Sequence, residues 1–188
     1  MKNKIFLLIF VFILSCQPIE KIEKIVFDNN QLSKFNIVSK LININIDFEV
    51  KISDPYIGHT LNITPAQRVF NWINENFKAI GNENTFKISI LDASLIKTEF
   101  ENKNAKNFDE KINYKYELYY LVEFILYDDS NNLIASTLID TKRSTTSGQY
   151  ISLQEKENII DDLIYLSLVD LSNESQKLLL KYMGDYIL

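Results

Sequence analysis

Few side chains in this sequence are placed to do covalent chemistry. Cys16 is the only cysteine and His59 the only histidine, so neither an intrachain disulfide nor a two-histidine metal site can form. We expect no metal and no cofactor. His59 could serve a Ser-His-Asp hydrolase as its base, but no serine stands in a Gly-x-Ser-x-Gly context, and hydrolysis ranks third among the functions considered. The adjacent carboxylates Asp128-Asp129 and Asp161-Asp162 have the types needed for acid/base work or cation binding. Their settings are a turn and a helix surface, where carboxylates stay solvated. Glycines at positions 58, 81, 148 and 184 are too dispersed to cradle a phosphate. On this inventory we expect no enzyme.

Cys16 has a different chemistry open to it. Lys2 and Lys4 precede an unbroken apolar run at residues 5–14, and Ser15 leads directly into the cysteine. Ten apolar residues make about 15 Å of helix, half of a ~30 Å hydrocarbon core, so the run is expected to direct export and be cleaved rather than span. The apolar-small pair before a lone cysteine resembles the bacterial lipobox. That resemblance implies a signal peptide over residues 1–15 and acylation of Cys16, by chains such as palmitate, as the new N-terminus. Residues 16–24 then form a lipidated tether, and residues 25–188 a single domain facing the periplasm. Gln17, in place of Asp, resembles the signal that sorts lipoproteins to the outer membrane, the inner membrane being the alternative. Cleavage removes two lysines from a chain whose formal charge is already −5. A nucleic-acid partner, which needs a basic surface, is excluded.

The domain's elements follow from periodicity and caps. Residues 42–52 alternate strictly, with Ile42, Ile44, Ile46, Phe48, Val50 and Ile52 on one side and polar residues on the other, which predicts a strand with one buried face. Thr64, Pro65, Gln67 and Gly81 punctuate a helix over residues 64–80 with a core stripe of Ala66, Val69, Phe70, Ile73, Phe77 and Ile80. Trp72 lies beside the stripe and reads as a packing aromatic. A second strand spans residues 86–96, with its phase broken near residues 91–93 as by a bulge. Residues 99–113 read as a long loop. The third strand, 114–127, turns at residues 128–132 into a fourth at 133–143. Ser152 with Glu155 opens a second helix over residues 153–183, stopped by Gly184. At about 46 Å that helix matches the length of the third strand and is expected to lie along the sheet.

This order, β-α-β-β-β-α, predicts an α+β fold: a four-stranded, mostly antiparallel sheet with two helices packed on one face. Ile57-Gly58-His59, Thr64-Pro65, Trp72, Gly81 and the run Ile90-Leu91-Asp92-Ala93-Ser94 resemble a group of alphaproteobacterial lipoproteins to which no activity is assigned. The element order and the pattern over residues 114–183 are also similar to the small lipoprotein that plugs the lipopolysaccharide-transport barrel, which implies envelope assembly by analogy.

One feature is left over by a plain core. The third strand carries Tyr119, Leu121, Ile125 and Tyr127 on the face opposite Tyr120, Val122 and Phe124, interspersed with Lys115, Glu117 and Glu123. Apolar residues on an exposed sheet face mark a partner site; the competing expectation is that the tether or the 99–113 loop covers them. The sequence therefore points to a membrane-anchored envelope lipoprotein, non-enzymatic, that binds an envelope protein such as a barrel or transporter component. The alternative is an auxiliary lipid-binding lipoprotein of a lipid-transport system. Cys16→Ser is expected to abolish lipid labelling and move the protein from the membrane to the soluble fraction, because anchoring rests on acyl burial at about 0.8 kcal/mol per methylene. Metabolic labelling with a fatty acid, followed by fractionation, checks this; an unchanged membrane fraction refutes the anchor.

Overall fold

The computed structural model describes residues 25–103, 105–106 and 110–188. The expected signal peptide, Cys16 and the tether lie outside the described residues. Those described form seven strands and two helices: β1 (Phe35–Ile37), β2 (Leu41–Ile46), α1 (Pro65–Asn76), β3 (Phe77–Ala79), β4 (Thr85–Asp92), β5 (Leu95–Glu101), β6 (Ile112–Tyr127), β7 (Leu133–Gly148) and α2 (Leu153–Met183). The α+β class and the helices on one face match the expectation. The main sheet has five strands instead of four, and β1 and β3 form a small parallel sheet of their own.

β6 is the centre of the main sheet. On one edge its second half pairs antiparallel with β4, from Thr85 opposite Tyr127 to Asp92 opposite Leu121. Its first half pairs with β5, from Leu95 opposite Leu118 to Glu101 opposite Ile112. The other edge pairs with β7 over its whole length. The expected bulge exists: the β4 register shifts between Ile90 and Asp92. There Asp92 Oδ1 accepts from Ser94 N at 2.7 Å, an Asx-type turn that folds the chain from β4 into β5 so that both reach the same edge of β6. The expected 86–96 strand is thus two strands, and the expected loop begins only after Glu101. β2 joins β4 in parallel. It stops at Ile46, leaving Val50 and Ile52 exposed, so the alternation of residues 48–52 is not spent on a strand.

The helices cover the even-numbered face of β6, where Tyr116, Leu118, Tyr120, Val122, Phe124 and Leu126 are all buried. α2 runs from Leu153 to Met183, opened as expected by Ser152, whose Oγ accepts from Glu155 N at 3.1 Å. Gly184 is not a left-handed stop but keeps a right-handed conformation and opens a 3-10 turn over Gly184–Tyr186. Ser172, a weak helix former, does not break the helix. It faces inward, and its Oγ accepts from Ser33 N at 2.9 Å.

α1 has the expected capping box, Thr64 Oγ1 accepting from Gln67 N at 3.3 Å and Gln67 Oε1 accepting from Thr64 N at 2.9 Å. It ends four residues early. Phe77 takes an extended conformation to pair with Phe35, stacks on Phe35 and Phe124, and so reaches the core from a strand. Ile80 is 51% exposed and leaves the expected stripe. Gly81 is not a helix stop: a Cβ there would lie 2.8 Å from the backbone of Val38 and Ser39, so the close approach of two chains requires glycine. Trp72 is fully buried, its Nε1 donating to Ser33 O at 3.4 Å.

Phe77→Ala is expected to cost about 3–5 kcal/mol, whereas Ile80→Ala should stay within about 0.5 kcal/mol of the parent. Denaturant unfolding of the two variants reads the difference, and equal losses would put Ile80 back on the core stripe.

Candidate functional site

Because side chains alternate across a strand, the odd-numbered residues of β6 all point away from the helices. Tyr119, Leu121, Ile125 and Tyr127 lie together on this second face, each half-buried by the flanking strands and none covered by a helix. The registers give their neighbours. Ile125 sits between Lys87 and Ser136, Glu123 between Ser89 and Leu138, and Leu121 between Asp92 and Asp140. Tyr119 lies beside Lys142, whose Nζ is 4.6 Å from the ring centroid. Lys142 also binds Glu117 at 2.7 Å, and Lys115 binds the same carboxylate at 3.1 Å. The two ammonium groups, Lys142 first, hold Glu117 below the usual carboxylate range; Glu117 and Tyr119 in turn raise Lys142.

The face is therefore a mosaic. No two apolar side chains of β6 on it are adjacent without a charged or hydroxyl neighbour, and exposed Leu138 of β7 extends it sideways. Such a surface can hold a protein by scattered apolar anchors and charge pairs; its fixed charges make it a poor surface for entering hydrocarbon. The contribution of β7 could not be found in the sequence until its register was known. Of the 99–113 loop expected to cover the face, the described residue Glu110 is held at the end of β7, its Oε2 accepting from Gln149 N at 2.7 Å and its Oε1 from Tyr150 N at 3.0 Å.

The other chemical candidates are scattered. His59 is exposed on a short 3-10 turn ahead of α1. Asp128 organises its turn, accepting from Ser130 N, Asn132 N and Asn132 Nδ2 at 2.7–2.9 Å; the Asn132 bonds hold its pKa down. Asp129 is paired with Lys40. Among the described residues no group of three His, Cys, Asp or Glu side chains could hold a metal.

Asp161 faces Arg68 across a cleft of about 400 Å³ between the start of α1 and the start of α2. The Arg68 guanidinium lies 3.6 Å above the Phe27 ring. Burial lowers its pKa, with Asp161 opposing. Beneath it, the fully buried Tyr120 hydroxyl has its pKa pushed up by burial.

No protein-family model matches the sequence. No curated protein matches it. The fold is similar to solved structures: a minor lipoprotein from Acinetobacter baumannii, 12% identical, with a TM-score of 0.39 over 75% of this chain and 90% of that one; and rare lipoprotein B from Shewanella oneidensis, 15% identical, TM-score 0.39, over 76% and 99%. A third, described as a neuraminyllactose-binding hemagglutinin homologue from Helicobacter pylori, is 9% identical with a TM-score of 0.40 over 81% and 90%. At these values the likeness describes a rough arrangement of helices and strands and transfers no residue role.

Leu121→Lys with Ile125→Lys is expected to leave the domain folded, since both side chains already reach water. Val122→Lys with Phe124→Lys should unfold it by burying unpaired charge. Circular dichroism melts of the two double variants separate the faces. Similar destabilisation of both would mean that the odd-numbered face is covered.

Proposed function

We propose that this chain is a membrane-anchored envelope lipoprotein, held to the outer membrane through Cys16 and facing the periplasm, with a non-enzymatic accessory role in assembly or transport. It binds a partner protein through the helix-free face of β6, with Tyr119, Leu121, Ile125 and Tyr127 as the apolar contacts. The observation that carries this reading is that face itself: a long strand buries one set of side chains completely, yet keeps four large apolar residues half-exposed on the other. The export-type leader ahead of Cys16 supplies the compartment.

The lipid-binding alternative has less support. The interior beneath the helices is filled by Trp72, Tyr116, Tyr120 and Phe124, and a hollow of about 530 Å³ beside α1 is lined by Asn, Lys and Glu side chains. An acyl chain gains nothing from such walls.

Affinity capture of the full chain in mild detergent tests the proposal. Parent protein should enrich a specific envelope protein, and the Leu121→Lys/Ile125→Lys variant should lose it by at least about tenfold, the effect of roughly 1.4 kcal/mol. Native mass spectrometry of the parent showing retained lipid, with capture unchanged in the variant, would favour the carrier reading instead.

A further inference from the structure

The sheet edges of this domain are treated unequally. The outer edge of β5 is closed by the chain itself: Lys97 N donates to Pro55 O and Ile57 N donates to Leu95 O, both at 2.9 Å. β1 is closed by the C-terminal tail, with Leu188 N donating to Asn36 O at 2.9 Å and Val38 N donating to Tyr186 O at 2.8 Å. β2 is only six residues long. β7, by contrast, runs for sixteen residues, pairs with β6 alone, and has no strand on its outer side among the described residues. It carries no proline and only one register shift, at its start. A long regular edge presents a row of unpaired N–H and C=O groups, which proteins ordinarily blunt.

Resting on the partner-binding reading above, we infer that the outer edge of β7 takes up an extended segment of the partner protein as a sixth strand. The main chain supplies the hydrogen bonds, and alternate side chains supply selectivity. The side chains of β7 on the helix-free face include Ser136, Leu138, Asp140 and Lys142. Leu138 is 52% exposed, and Lys142 is engaged with Glu117. Asp140 is exposed and makes no pair among the described residues. The segment that fits carries an apolar residue opposite Leu138 and, two residues away on the same face, a lysine or arginine opposite Asp140.

A second copy of this chain joined antiparallel at the same edge would bring both α2 helices onto one face of the sheet. α2 packs chiefly on β7 and is clamped to it by Arg143, whose Nε and Nη2 donate to Asp170 at 2.7 and 3.0 Å. Two β7 strands joined edge to edge would be about 4.8 Å apart. The two α2 helices above them need about 8–10 Å. A bare strand has no helix to collide.

The test places a photo-crosslinking amino acid at Ser136, Asp140 or Ser144, one at a time, in the full-length membrane-bound chain, and at Tyr119 as a separate face position. Adducts are mapped by mass spectrometry. Strand addition predicts that all three β7 positions mark one partner segment and that the attached residue shifts by about four for each four-residue step along β7. Adducts from Tyr119 without stepped adducts from β7 would overturn the strand and leave the partner face standing. Adducts joining two copies of this chain would overturn it in favour of self-association. Loss of adducts from every position would overturn both readings.

Discussion

The fold depends on the two-sided pairing of β6. A strand hydrogen-bonded along both edges has no backbone group left to satisfy elsewhere, so its alternate side chains are committed to opposite faces for all sixteen residues. That commitment fixes everything laid against it. β4 and β5 must share one edge, which requires the Asx turn at Asp92; β7 must run the full length of the other. The two helices then find one uninterrupted apolar row from Tyr116 to Leu126. A one-residue slip would exchange that row for Glu117, Tyr119 and Glu123, which explains why five interlocking strands hold the register.

The division of the sheet into a filled face and an open one also places the chemistry. On the filled side, the polar groups serve packing: Arg143 ties β7 to α2, and Ser167 bonds back to the Leu163 carbonyl at 2.7 Å within α2. On the open side, Glu117, Lys115 and Lys142 satisfy one another and frame Tyr119. Ion pairs at such exposed positions contribute about 0–1 kcal/mol. They act more on which surface can approach than on whether the domain stands.

What was legible in the sequence were the elements whose signals are long. α2 announces its start through Ser152 and Glu155, and the alternation of residues 114–127 separates two faces that the fold keeps separate. Short-range signals misled where tertiary pairing overrode them. The helical spacing of Phe77 and Ile80 continues that of Ile73, yet pairing with Phe35 turns the chain into a strand at Phe77. The alternation of residues 48–52 has no neighbour to pair with. β1 and β3, at three residues each, are below what a pattern can reveal, and the neighbours of the β6 face depend on a β7 register that the sequence does not state. Gly81 and Gly184 have the spacing of helix stops, yet Gly81 serves a backbone contact with Val38 and Ser39 and Gly184 opens a 3-10 turn.

The first described stretch of the chain is a strap across the helices. Asn76 Nδ2 donates to Asn29 O at 2.6 Å, Ser172 holds Ser33, and Phe27 is wedged between Arg68 of α1 and Tyr165 of α2. Tension applied from the N-terminal side therefore enters through contacts to two helices in parallel, before it can reach any strand. The first sheet in line is the small one, through β1, which is itself stitched to the C-terminal tail. The large sheet is reached through α2, by way of its Arg143–Asp170 clamp on β7. Pulled from its N-terminal side, the domain would yield first at the strap.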